Sequence, residues 1–305
     1  FADAVSPQGK VCDLGLAPKT AQTPEYAFGL NYGYHLNAGK FVELLKSHCV
    51  DKLGVDYQLG HVDQVLSAEN GDITALSLTK GDSIAGDLFV DCTGFSALLI
   101  GKHYQVPFVS QRDCLFNDTA LAVQADHAEE DTPIASCTKS TAQSSGWIWD
   151  IALPTRRGIG HVFSSQHISL EKAEDELQRY LSADPALAKE RHSPRKITFQ
   201  PGHRARFWHK NCVAVGVSAG FVEPLEASAL VLIEKSAEFI SNNLPQDRAA
   251  MKVVAKRFND IIGKYWVDII DFLKLHYVLT ERTDSEYWRD HVRAESIPDS
   301  LQDAL

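Results

Sequence analysis

Between Cys212 and Leu230 the chain reads CVAVGVSAGFVEPLEASAL: a short apolar run, a loop of small residues, then Pro224 and the opening of a helical pattern. A continuous apolar run of this length is of buried-strand type. A buried strand that passes through small residues into a helix points to an α/β architecture, and the rest of the text agrees. Residues 38–50 place Phe41, Leu44, Leu45 and Val50 at amphipathic-helix spacing. Residues 55–91 alternate around the turns ENGD and GDS, which predicts a hairpin followed by a more buried strand ending at DCTGF. A second β-rich region spans about 112–165 and a charged helix about 170–182, followed by a strand pair, ITFQ and HRARFW, around Pro201-Gly202. Two long helices separated by Pro245 come next, and residues 280–305 read as a polar tail. The resulting fold class is α/β mixed with an antiparallel sheet.

Composition bounds the function. The 305 residues carry 44% hydrophobic side chains, enough for a large core, so disorder, collagen and a disulfide miniprotein are excluded. Lys and Arg number 30 against 40 Asp and Glu, and no basic run appears, which argues against a nucleic-acid partner. Cys12, Cys49, Cys92, Cys114, Cys137 and Cys212 form no CxxC or CxxH pair, so neither a metal centre nor a disulfide framework is expected, and a reduced cytoplasmic setting is. Apolar stretches break well short of the roughly 20 residues of a membrane span. The chain opens on Phe1 and its single Met is Met251, so it is expected to begin partway through a longer protein.

Three segments carry chemistry. In residues 216–230, Gly216, Ser218, Ala219 and Gly220 let a planar ligand approach the backbone, and the N–H groups at about 227–229 open a helix read as starting at Glu226. A flavin ring edge, a pyrophosphate or a small anion such as chloride suits that geometry. So does a plain connection in which Glu226 only favours the helix dipole. DLFVDCTGF at 87–95 ends a strand on Asp91 and a Thr93-Gly94 turn, as nucleotide sites and ordinary strand ends both do. In GWIWDIAL at 146–153, Trp147 and Trp149 share one sheet face, either as core or as walls for an aromatic ring. His203, His209, Arg156 and Arg157 lack metal-ligand spacing and read as a solvated face. No GxSxG, HExxH, P-loop or GxGxxG occurs.

Taken together, WIWDI at 147–151, DCTGF at 91–95 and AVGVSAGFVEPLEAS at 214–228 resemble the flavin-dependent tryptophan halogenase family. YAFGLNYGYHLNAGKFVELL at 26–45, LFNDTALAV at 115–123 and FLKLHYVLTERTDSEYWRD at 272–290 extend the likeness almost end to end. The resemblance implies a monooxygenase-like, Rossmann-type fold without its N-terminal βαβ unit. It also implies FADH2-dependent halogenation of an indole or other electron-rich aromatic, through a flavin hydroperoxide and hypohalous acid. It assigns residues 1–110 to the remainder of the FAD domain, 111–210 to a β-rich barrier region, 211–232 to the flavin and halide loop, and 233–305 to C-terminal helices.

By the same resemblance the active-site Glu is Glu226, and chloride or bromide rests on the N–H groups of Ser228 and Ala229. Val62, Thr93, Gly94, Gly216, Val217, Pro224 and Leu230 face FAD, while Trp147 and Trp149 wall the substrate off from the flavin. No metal, nucleic acid or membrane is implied; a flavin reductase is the implied partner, and a homodimer is allowed. The chain departs from the family at Ala152, Ala227 and Ala229, where Pro, Ser and Gly are usual, which suggests a divergent branch whose substrate need not be free tryptophan. The family's GxGxxG and catalytic Lys fall before Phe1, and Lys10, Lys40 and Lys102 stand in the wrong context, so these 305 residues are expected not to halogenate unaided. A flavin monooxygenase that hydroxylates its substrate, or a non-catalytic remnant, stays open as an alternative.

Overall fold

Residues 248–278 place Met251, Ala255, Phe258, Ile262, Trp266, Ile270, Leu273 and Tyr277 at steps of three and four, and each is buried. That stripe turns one face of a 31-residue helix toward a core. Asp247 starts the helix by accepting the Ala250 N–H. The computed structural model describes residues 6–127, 129, 131–187 and 193–305. In chain order it contains α1 (Gln8–Asp13), α2 (Ala38–Ser47) with a following π-helical turn, and strands β1 (Val62–Ser67), β2 (Ile73–Leu78), β3 (Ser83–Ala85), β4 (Phe89–Asp91) and β5 (Phe108–Ser110). Then come β6 (Thr119–Asp126), β7 (Lys139–Gln143), β8 (Gly146–Ala152), β9 (Arg156–Phe163), α3 (Leu170–Ala183) and β10 (Arg195–Thr198). The chain closes with β11 (Gly202–Arg204), β12 (Trp208–His209), β13 (Cys212–Ala214), β14 (Gly220–Phe221), α4 (Ser228–Asn242), α5 (Arg248–Val278), α6 (Glu286–His291) and α7 (Asp299–Gln302). The architecture is mixed α/β.

Contacts divide the chain into two units, Phe1–Tyr57 with Thr119–Ile197 and Gln58–Asp118 with Thr198–Leu305. The first unit is built on a five-stranded sheet of order β10-β6-β9-β8-β7. Helix α3, capped by Ser169, covers one face with Ala173, Leu177 and Leu181 against Leu121, Val123, Ile148, Ile159 and Phe163. Strand alternation sends Trp147 and Trp149 to the opposite face from Ile148, with ring centroids 6.2 Å apart. Trp149 stands in register with Gly160 on β9, and its ring lies where a Cβ on Gly160 would be. Only glycine permits that close approach.

In the second unit β1, β2 and β3 form an antiparallel meander, β5, β11 and β14 a second small sheet, and β12, β13 and β4 a third. In the third sheet β13 runs parallel to β4, pairing Cys212 with Phe89 and Ala214 with Asp91. The core beneath is Phe89, Ile100, Trp208, Val213 and the α5 stripe.

Two expectations are corrected here. ITFQ and HRARFW do not pair: β10 borders β6, whereas β11 lies between β5 and β14. A two-residue Pro-Gly link suggested a hairpin, but each strand satisfies its backbone on a different sheet. Arg157 is not on a solvated face either; its guanidinium is clamped between Asp150 and Asp184, and Tyr180 also donates to Asp150. The paired carboxylates hold the Arg157 pKa above its ordinary value. His203 is half-buried and stacks on Trp266, and burial lowers its pKa. No helix among the described residues is long and apolar enough to cross a membrane, and the six cysteines are free thiols.

The Gly160 contact is testable. Gly160→Ala is expected to destabilise the protein by about 1–3 kcal/mol, the usual penalty for overpacking. Urea unfolding should report the loss, together with a changed near-ultraviolet dichroism from the displaced Trp149 ring.

Candidate active site

Strands β4 and β13 end side by side at Asp91 and Ala214, and in parallel sheets the carboxyl ends are where ligands bind. The Asp91 side chain is fully buried. Its Oδ1 accepts the Thr93 N–H at 3.0 Å and the Thr93 hydroxyl at 2.6 Å, and its Oδ2 accepts the N–H groups of Leu99 and Ile100, both at 2.8 Å. Its backbone carbonyl accepts the Val215 N–H at 3.0 Å and the Ser218 hydroxyl. One residue therefore ties the Thr93–Gly94 turn to the Gly216–Ser218 turn. Gly94 and Gly216 have φ of +66° and +71°, which a side chain adopts only with strain. A Cβ at Gly94 would meet nothing within 4 Å, so this backbone is open to a flat ligand.

Beyond β14 the chain makes a single turn, Leu225–Ala227, before α4 begins at Ser228. The helix was expected to start at Glu226. Instead Glu226 and Ala227 hold φ of 65° and 52°, in the left-handed region, so neither can belong to a right-handed helix. They are the only adjacent pair of such non-glycine residues among the described residues. Each costs roughly 1–2 kcal/mol, and strain of this kind gathers at functional sites. The Ala227 N–H is taken by the Pro224 carbonyl at 3.0 Å, and no side chain caps α4. The N–H groups of Ser228 and Ala229 thus open a helix whose dipole favours an anion.

Two carboxylates in this loop have opposite surroundings. Glu226 is exposed and meets Nε2 of His276 at 3.2 Å. Glu223 is buried; its Oε2 accepts Asn117 Nδ2 at 2.5 Å and the Tyr277 hydroxyl at 2.8 Å, while the Tyr287 hydroxyl donates to Asn117 Oδ1 at 3.1 Å. Burial, reinforced by the Glu223 charge, pushes both phenols well above their ordinary range. Nearby, Lys274 donates to His291 Nδ1 and Ser296 Oγ, each at 3.0 Å, and its ammonium lies 5.0 Å from the Phe116 ring. Burial lowers its pKa to about 8, against the pull of Cys114 and Glu223.

Sequence reasoning missed this polar core. Residues 280–305 were expected to be a polar tail, yet Tyr287, Trp288, His291, Ser296 and Leu301 are buried. The usable signal was helix register, since Lys274 and Tyr277 extend the α5 stripe one turn past Ile270 and Leu273.

The structure gathers Thr93, Gly94, Gly216, Val217, Pro224, Glu226, Ser228, Ala229 and Leu230 in one unit. A small apolar cavity of about 60 Å³ joins Gly216, Val217 and Phe221 to Ala229 and Trp266. Val62 is in the same unit but on the meander, paired with Leu78. Trp147 and Trp149 belong to the other unit. Among the described residues no cluster of three or more His, Cys, Asp or Glu could hold a metal ion.

A family profile described as tryptophan halogenase matches residues 4–305. The chain belongs to the tryptophan halogenase family. Over 286 residues it is 37% identical to the tryptophan 7-halogenase KtzQ of Kutzneria sp., covering 92% of this chain and 51% of that protein. A crystal structure of a tryptophan halogenase from Shewanella frigidimarina superposes with a TM-score of 0.95 at 51% identity, covering 100% of this chain and 58% of that one. BrvH, a flavin-dependent halogenase from Brevundimonas sp. BAL3, gives 0.86 at 36% identity, with 98% and 60% covered. The chain spans about half the length of the curated relatives it matches. As a halogenase family member it carries alanine at the strained position 227, where the resemblance expects serine.

Two outcomes test the site's framework. Asp91→Ala strands four donors, two of them buried backbone N–H groups, and is expected to cost about 3–5 kcal/mol by denaturant unfolding. For Lys274, the amine is protonated in both states below about 8; above that the folded protein releases the proton while the unfolded chain keeps it up to the ordinary lysine range. The unfolded state then binds more protons, so stability rises with pH. Unfolding curves collected from pH 8 to pH 10 should show the parent gaining stability relative to Lys274→Met; a constant difference would contradict the assignment.

Proposed function

We propose that the protein halogenates an indole or similar electron-rich aromatic, using reduced FAD delivered by a flavin reductase and chloride or bromide as the halogen source. The observation that carries this reading is the strained Glu226–Ala227 step at the uncapped start of α4, in a chain whose relatives are named tryptophan halogenases. The residues present fit a flavin: the glycine turn after β4 leaves backbone uncovered at Gly94, and Val217 flanks a small apolar cavity.

When bound, reduced FAD would supply, with oxygen, the oxidising equivalents that convert halide into an electrophilic halogen species. Thr93, Gly94, Gly216, Val217, Pro224, Leu230 and Val62 are the proposed FAD contacts. Ser228 and Ala229 would hold the halide on their N–H groups, as the helix dipole favours. Glu226, exposed at the turn, would orient the halogenating species and take the proton that the ring carbon loses on substitution. Trp147 and Trp149, edge to face with centroids 6.2 Å apart, are the proposed aromatic residues on the substrate side. Direct hydroxylation is the competing reading, and the product decides between the two.

The test incubates the full-length protein to which these 305 residues belong with FAD, a flavin reductase, NADH, oxygen, bromide or chloride and a panel of indoles, then examines products by mass spectrometry. Halogen isotope patterns are expected, and Glu226→Gln should lower their yield by about 100-fold or more, the scale of a lost acid–base group. Hydroxylated product without halogen would assign the monooxygenase reaction instead.

A further inference from the structure

We propose that His276 is the positioning residue for Glu226, engaging one carboxyl oxygen and leaving the other to receive the substrate proton; this rests on the proton-accepting role proposed above. Nδ1 of His276 lies 2.8 Å from the Phe272 carbonyl oxygen, one helical turn back on α5. A carbonyl only accepts, so Nδ1 carries a hydrogen. Nε2 lies 3.2 Å from Glu226 Oε1. A neutral imidazole protonated at Nδ1 presents a lone pair at Nε2, which cannot hydrogen-bond to a carboxylate lone pair. The contact therefore needs one proton between Nε2 and Oε1. That shared proton fixes the direction in which the Glu226 side chain points.

The helix places this contact. Consecutive residues of α5 reach the two carboxylates of the same loop, His276 to exposed Glu226 and Tyr277 to buried Glu223. Glu223 anchors the loop, and His276 sets the direction of the group that works at its tip. With Oε1 engaged, Oε2 is the acceptor that remains. In the step concerned, the C–H bond of the halogenated ring breaks, its electron pair restores aromaticity, and its proton moves to Oε2.

His276→Ala is expected to lower kcat about tenfold to hundredfold, the scale of a hydrogen bond to a charged group, with KM for the indole unchanged. His276→Gln, which restores a donor, should recover part of that loss. In a Glu226→Gln background, His276→Ala should cost no more than about twofold further, because residues acting as a unit are not additive. Parental kcat in His276→Ala, or full additivity with Glu226→Gln, would overturn the inference. An independent readout needs no turnover: the side-chain nitrogen resonances of His276 should differ between the parent and Glu226→Ala, because the substitution removes the partner of Nε2. Identical resonances in the two proteins overturn the pairing. Distinct resonances with a parent that makes no halogenated product leave the pairing standing and remove the halogenation reading.

Discussion

A single buried carboxylate, Asp91, organises the end of the parallel strands. Four donors converge on it, two from Thr93 and one each from Leu99 and Ile100. A buried donor left without its acceptor costs about 1–3 kcal/mol, so four donors meeting on one side chain make it the tie of the β4 turn. Through its own carbonyl the same residue holds Val215 and Ser218, which aligns the turn after β13 with the turn after β4. Two strands brought together from distant parts of the sequence thereby present one continuous backbone surface.

The loop that follows depends on a second division of labour. Glu223 and Glu226 are three residues apart, yet one is buried in a net of Asn117, Tyr277 and Tyr287 while the other stands in solvent reach of His276. Left-handed alanine and glutamate persist only where surrounding contacts over-determine them. The Glu223 net and the following helix α4 supply that constraint from either side of the strained step. Helix α5 reaches both carboxylates, Glu223 through Tyr277 of its buried stripe and Glu226 through His276 on its exposed side.

Much of this was legible beforehand, for reasons of local chemistry. Strand β8 followed from its aromatic and β-branched text, α3 from its charge and period, α4 and α5 from the spacing around Pro245. The small-residue loop at 216–220 and the uncapped helix start were visible as residue types. What failed did so where partners were remote. The link at Pro201-Gly202 suggested a hairpin, but β5 and β14 claimed β11. Arg157 looked solvated until Asp184 closed on it from beyond α3. The segment after Leu279 looked like a tail because Tyr287, Trp288 and His291 are spaced for a short helix of six residues, too brief for period alone to identify as core.

By itself, then, the sequence determined the elements and the residue types at the site, because propensity, capping and hydrophobic period act over a few positions. It determined which carboxylates and which tryptophans were available, and in what order. Only the tertiary structure decided which of two glutamates, three residues apart, was buried and which exposed, and that Glu226 and Ala227 bend the wrong way for a helix. Those outcomes depend on Asn117, His276, Tyr277 and Tyr287, which lie some 50 to 110 positions away in the chain. Long-range packing must form before such groups can bond, and no local pattern encodes it.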